Sequence, residues 1–139
     1  MIGFIFGEQG TGKTKAILNM ANQAVKEAKG SVVFIDDDND YMYDLSNRIR
    51  FINTEDYDIH TPKMLYGFLS GIAAMDFDIE YIFIDGFIRI AKHPLSTLEE
   101  MLVKLDKMAE ARKVNLIVSI NSDGRNVSDF VRERTIHTL

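Results

Sequence analysis

The sequence predicts an α/β fold built on a mostly parallel sheet, and three features carry that prediction. Short apolar runs (Ile2–Phe6, Val32–Ile35, Tyr81–Ile84 and Leu116–Ile120) are rich in β-branched and aromatic residues and nearly free of polar ones. Strands covered on both faces read this way. Longer amphipathic stretches alternate with them, and strand–helix–strand succession implies right-handed crossovers and parallel pairing. The 139 residues hold two prolines, Pro62 and Pro94, and no repeat, low-complexity run or linker. We therefore expect one domain over residues 1–139, a three-layer sandwich around five strands. Arg50-Phe51-Ile52 is the fifth and weakest strand.

Each intervening segment carries helix signals. Lys13–Lys29 places Ile17, Met20, Ala21, Ala24 and Ala28 at three- and four-residue spacings, with Gly30 as the expected C-cap. Thr61-Pro62 opens a second helix whose stripe is Leu65, Phe68, Leu69 and Ile72; proline at the first helical position forfeits no hydrogen bond. Ser96 and Glu99 have capping-box spacing ahead of a third, with Leu98, Met101, Leu102, Leu105 and Met108 along one side. Its methionines read as core filler. The stretch Ser128–Ile136 is expected to form a short closing helix.

Composition narrows the classes of function. With 46% apolar and 27% charged residues the chain is globular. It has no cysteine, which excludes disulfides, thiolate metal sites and cysteine nucleophiles. No run of 18 apolar residues exists and the first residues lack a basic region, so we expect no membrane span and a cytoplasmic protein. A net charge of −5 gives no support to general nucleic-acid binding, though it leaves room for a local basic groove. His60, His93 and His137 share no ligand spacing.

The most specific signal is Gly7-Glu8-Gln9-Gly10-Thr11-Gly12-Lys13-Thr14, which satisfies G-x-x-x-x-G-K-[ST] directly after a strand and at the start of a helix. The glycines let successive backbone N–H groups turn inward on phosphate oxygens, and the helix adds its positive dipole end. In such a loop Lys13 reaches the β- and γ-phosphates, and the Thr14 hydroxyl ligates Mg²⁺. A nucleotide is thus the expected ligand.

Two further strands end in acid. Tyr81-Ile82-Phe83-Ile84-Asp85 has the form of a Walker B element, in which Asp85 holds Mg²⁺ directly or through water; the alternative is a solvated turn. The residue after it is Gly86 rather than a glutamate, so a base for water must come from elsewhere. Val32-Val33-Phe34-Ile35 runs into Asp36-Asp37-Asp38-Asn39-Asp40. Some of these carboxylates are turn and cap residues. One at the strand's carboxyl end is placed to reach a water near the γ-phosphate.

With these motifs in this order, the chain from about Ile2 to Asn121 resembles the RecA-like ATPases, the recombinase and KaiC branch of the P-loop superfamily. Phe34-Ile35-Asp36-Asp37-Asp38-Asn39 is similar to that family's F-I-D-A-E-H segment. The resemblance puts Asp38 at the catalytic glutamate position, one methylene shorter, with Asp36 and Asp37 as rivals. Leu116–Asn121 is similar to the family's next core strand, which implies that Asn121 senses the γ-phosphate; a strand-ending turn residue is the alternative. The resemblance implies ATP and Mg²⁺, and a sheet ordered Arg50–Ile52, Val32–Ile35, Tyr81–Ile84, Leu116–Ile120, Ile2–Phe6. It also implies a homo-oligomer or protein partner, in which Arg125, Arg132 or Arg134 either acts on a neighbour's γ-phosphate or is plain surface charge. The family's long DNA-binding loops have little room here.

Two other functions compete with an ATPase. Asp85-Gly86-Phe87-Ile88-Arg89 is similar to the D-G-F-P-R element of adenylate-kinase-like enzymes, with Ile88 in place of proline, which implies that Arg89 binds transferred phosphate. The acidic tip after Ile35 has the wrong charge for that enzyme's second phosphate. The replaced glutamate also fits a nucleotide-binding regulatory module with negligible turnover. No N-K-x-D-like run follows a later strand, which favours ATP over GTP.

Overall fold

The computed structural model describes all 139 residues and contains a six-stranded sheet. The strands are β1 (Ile2–Gly7), β2 (Ser31–Asp36), β3 (Arg50–Asn53), β4 (Ile79–Ile84), β5 (Asn115–Asn121) and β6 (Thr135–Thr138). Their spatial order is β3-β2-β4-β5-β1-β6, and every neighbouring pair is parallel. The first five strands stand in the expected order. The expected count of five is corrected to six, because β6 adds an edge beside β1.

Five helices pack on the sheet: α1 (Lys13–Glu27), α2 (Pro62–Met75), α3 (Phe87–Ala91), α4 (Glu99–Arg112) and α5 (Asp129–Glu133). Strand alternation sorts the core into two layers. Ile5, Val32, Phe34, Phe83 and Ile117 face Ile17, Leu18, Ala21 and Val25 of α1. Phe4, Phe6, Val33, Ile35, Ile82, Ile84, Leu116 and Val118 point the other way, against Leu65 and Leu69 of α2 and Leu102 and Leu105 of α4.

Three local expectations are corrected. Helix α1 ends at Glu27 with an extended Ala28 as its C-cap, so Gly30 is not its terminator. A Cβ at Gly30 would instead overlap the Asp78 carbonyl, so close packing is what the glycine serves. Ser96 caps nothing: Leu95–Thr97 forms a 3-10 turn, and α4 begins after Leu98 with no side-chain cap. The stretch after Ser128 is helical only to Glu133 and then becomes β6. By contrast, Thr61 caps α2 as expected, its hydroxyl accepting from the Met64 N–H at 3.2 Å.

Residues 129–139 are fastened to the core through Asp106 on α4. One Asp106 oxygen accepts the Ile2 N–H at 3.0 Å, and the other pairs with Arg134 Nε at 3.2 Å. Arg134 also lies 3.9 Å from the centre of the Phe130 ring. Asp106→Ala strands both donors, and we expect a loss of about 1–3 kcal/mol in urea unfolding, of which Asp106→Asn, with one acceptor oxygen for two donors, restores only a part.

Candidate functional site

Parallel strands bring their carboxyl ends to one rim, and the chemistry-bearing residues collect there. A cleft of about 840 Å³ opens on the α1 side of that rim. Every predicted site residue lines it except Gly7 and Thr11: Glu8, Gln9, Gly10, Gly12, Lys13, Thr14, Asp38, Asp85 and Asn121.

The loop from β1 into α1 is shaped by left-handed backbone at Gly10 (φ 88°) and Gly12 (φ 87°), which side chains with a Cβ resist. Thr11 closes the turn beneath, donating to the Glu8 carbonyl from N at 3.2 Å and from Oγ1 at 2.7 Å. Gly12 is the N-cap of α1, no side chain caps it, and the first turn holds no acid. The opening amides therefore keep their donors and the dipole its positive end. Lys13 has no hydrogen bond or ion pair within the chain.

Opposite this loop, Asp85 follows the last residue of β4 and is buried. Its backbone N–H bonds the Ile35 carbonyl at 2.9 Å, which ties the tips of β2 and β4. Thr14 Oγ1 donates to Asp85 Oδ2 at 3.1 Å, and Ser119 Oγ donates to Oδ1 at 2.5 Å. Ser119 in turn accepts from the Gly86 N–H at 3.3 Å. A hydroxyl and a carboxylate side by side form the all-oxygen set that a hard divalent cation takes, so these residues fit Mg²⁺. Thr14 keeps its lone pairs free while donating its hydrogen.

The three consecutive aspartates differ sharply. Asp36 is 1% exposed at the tip of β2, one register step beyond the Ile35–Ile84 pair and hence beside Asp85. Burial, followed by the Asp37 side chain and the charges of Asp85 and Asp38, pushes its carboxyl up to about 8. Asp37 is taken by Arg89, whose Nε lies 3.1 Å from Oδ2 and whose Nη2 lies 3.0 Å from Oδ1. Burial would raise the Asp37 carboxyl, but the Arg89 guanidinium outweighs it and holds it below the ordinary carboxylate range. Arg89 reaches Asp36 only at 3.4 Å, too long to offset that residue's burial. Asp38 lines the cleft, part exposed, and accepts the Asp40 N–H at 3.0 Å. The three carboxylates lie within 4.8 Å of one another, and Arg89 supplies a counter-charge to Asp37 and Asp36.

Sequence reasoning missed Ser119 as the residue that orients Asp85. Its signal is the single polar residue inside an otherwise apolar β5. It also missed the Asp37–Arg89 pair, which joins residues 52 positions apart. The cleft extends past the aspartates to Asn19, Asn22, Asp40, Tyr41 and Asp44, where Asn22 pins the loop by donating to the Asp44 carbonyl at 2.9 Å and accepting the Ser46 N–H at 2.8 Å.

No model of a known protein family matches the chain, and no curated protein matches it in sequence. Solved structures do share its fold. PCH-2 of C. elegans superposes with a TM-score of 0.57 at 12% identity, over 98% of this chain and 34% of that one. The flagellar accessory protein FlaH from Methanocaldococcus jannaschii gives 0.59 at 15%, over 95% and 65%. Domain III of the replication initiation protein DnaA from Thermotoga maritima gives 0.50 at 15%, over 99% and 54%. The chain thus spans from about a third to just under two-thirds of these proteins. At these identities the likeness shows the fold alone, a mostly parallel α/β sheet with helices, consistent with a P-loop NTPase fold. No helix is long and apolar enough to cross a membrane.

Proposed function

We propose that this protein binds ATP with Mg²⁺ and hydrolyses the γ-phosphate by in-line attack of water, as a RecA-like ATPase. The observation that carries this reading is the Thr14–Asp85 hydrogen bond of 3.1 Å facing an uncapped loop–helix junction across one cleft. The position of β5 between β1 and β4 is the order that the RecA-like resemblance implies.

The residues divide the work. Backbone amides of residues 8–14 and the Lys13 ammonium bind the phosphates and offset charge that grows on the β–γ bridge as the bond breaks. Thr14 and Asp85 hold Mg²⁺, which when bound neutralises phosphate charge. Ser119 fixes the Asp85 rotamer. Asp38 orients the attacking water and accepts its proton, and Asn121, at the end of β5 and on the cleft wall, contacts the γ-phosphate. Of the three aspartates, Asp38 suits the base best. Asp37 is consumed by Arg89, and Asp36 is buried at the strand tip.

The kinase alternative loses support from two features. Arg89 is chelated by a carboxylate, and the wall beyond it carries Asp38, Asp40 and Asp44, which repel a second phosphate. Phosphate release from ATP, measured with and without Mg²⁺ over a range of protein concentrations, tests the proposal. Mg²⁺-dependent turnover that falls about a hundredfold in Asp38→Asn supports it. If Asp38→Asn turns over like the wild type, the base assignment is wrong. Nucleotide binding with no turnover in either protein leaves the regulatory module. Turnover per subunit that rises with concentration indicates an oligomer.

A further inference from the structure

Arg89 is better ordered than a surface arginine needs to be. It sits on α3, whose Phe87, Ile90 and Ala91 are buried in the core, so the backbone that carries it is anchored to the sheet. Its guanidinium folds back across Gly86, which has φ 75°, and a Cβ at that residue would overlap it. From there the planar fork closes on both Asp37 oxygens, with Nε 3.1 Å from Oδ2 and 3.3 Å from Oδ1, and Nη2 3.0 Å from Oδ1. A bidentate carboxylate pair of this kind sets orientation as well as distance. The backbone at the tip of β2 is held again on the Asp36 side, where the Thr54 hydroxyl donates to the Asp36 carbonyl at 3.3 Å.

Asp38 is the next residue along. We propose that Arg89 is a positioning residue, which chelates Asp37, fixes the peptide at the tip of β2 and thereby holds the Asp38 carboxylate in its place in the cleft. Arg89 acts through Asp37 and leaves nucleotide affinity to the loop, Lys13 and Thr14. The assignment rests on reading Asp38 as the group that orients water. It explains why an acidic run at a strand tip is followed, across the sheet, by a glycine and an arginine on the first turn of an anchored helix.

The test is steady-state ATP turnover, with separate binding of a non-hydrolysable ATP analogue, for wild type, Arg89→Ala, Arg89→Lys, Asp37→Ala and the Arg89→Ala/Asp37→Ala pair. We expect kcat to fall about a hundredfold in Arg89→Ala and in Asp37→Ala, the scale of a reacting group displaced by about an ångström. KM and analogue affinity should stay within about twofold, because the phosphate contacts are untouched. The double variant should be no slower than either single one, since both remove the same clamp. Arg89→Lys should recover little, as an ammonium cannot span two carboxylate oxygens in a plane. Free guanidinium ion should restore turnover to Arg89→Ala and not to Asp37→Ala. An unchanged kcat in Arg89→Ala overturns the inference while the ATPase reading stands. So does a loss confined to KM and analogue affinity, which would make Arg89 a nucleotide ligand. A wild type without Mg²⁺-dependent turnover removes the ATPase reading itself and the inference with it. Should Arg89→Ala fail to fold, Asp37→Ala decides by the same kcat and KM comparison.

Discussion

Lys13→Ala is expected to bind MgATP about ten- to a hundredfold more weakly and to lose phosphate release altogether. The lysine opens α1 at an uncapped helix end and has no partner in the chain, so its ammonium is available to phosphate. A charge-assisted hydrogen bond of this type contributes about 1.5–3 kcal/mol, which gives the binding range. Turnover should suffer more than affinity, because charge on the transferring phosphoryl oxygens grows toward the transition state. Stability should barely change, since no intramolecular bond is removed. Titration calorimetry and thermal melting of the same preparation check both halves. A variant that binds normally would mean that phosphates do not lie against this loop.

The second large effect concerns stability and comes from Asp36. Its carboxyl ordinarily ionises near 3.8 and in the folded protein holds its proton up to about 8. Between those values the folded state binds the extra proton, so stability falls as pH rises, by at most about 1.4 kcal/mol per unit. Asp36→Asn mimics the protonated form, keeps an oxygen to accept the Asp37 N–H, and does not titrate. We expect it to match the wild type near pH 4 and to exceed it increasingly toward pH 8, by several kcal/mol at the upper end. Asp37 works in the opposite direction and in a different window. Held low by Arg89, it adds stability that is present above about pH 4 and is lost as acid titrates it. Urea midpoints measured from about pH 2 to 8 separate the two, and parallel curves above about pH 4 for wild type and Asp36→Asn would show that Asp36 ionises normally.

The parts of this fold that were legible are those whose signal is local. Four strands announced themselves as apolar runs because each is covered on both faces, β3 was fainter because it is an edge with no fully buried residue, and the phosphate-loop motif needs only eight consecutive residues. Strand β6 escaped because an edge needs little apolar pattern: of Thr135–Thr138 only Ile136 is apolar. Ser96 misled for a related reason. Its spacing to Glu99 was right, but Thr97 Oγ1 bonds the Pro94 carbonyl at 2.7 Å inside a 3-10 turn, and the helix starts two residues late. At the cleft, the phosphate loop and Asp85 could be named from sequence, whereas the roles of the three aspartates could not. Which of them is buried, chelated or free depends on Arg89 and on register with β4, and both are tertiary facts.

The all-parallel order sets a schedule for assembly. No two strands that touch are joined by a hairpin, so each pairing waits for a crossover to close. For β1 the wait is longest, because its neighbours are β5 and β6. Strand β1, with Phe4, Ile5 and Phe6 all destined for full burial, has no lattice to join until residue 115 and beyond exist. At typical rates of synthesis that interval is on the order of ten seconds. The Gly7–Thr14 loop is tethered to this strand, so its side of the cleft is fixed only when β5 arrives, although its residues precede β5 in the chain. Throughout that interval an unpaired apolar strand is open to chaperones and to misassociation, and its partner lies more than a hundred residues away in a chain still being extended.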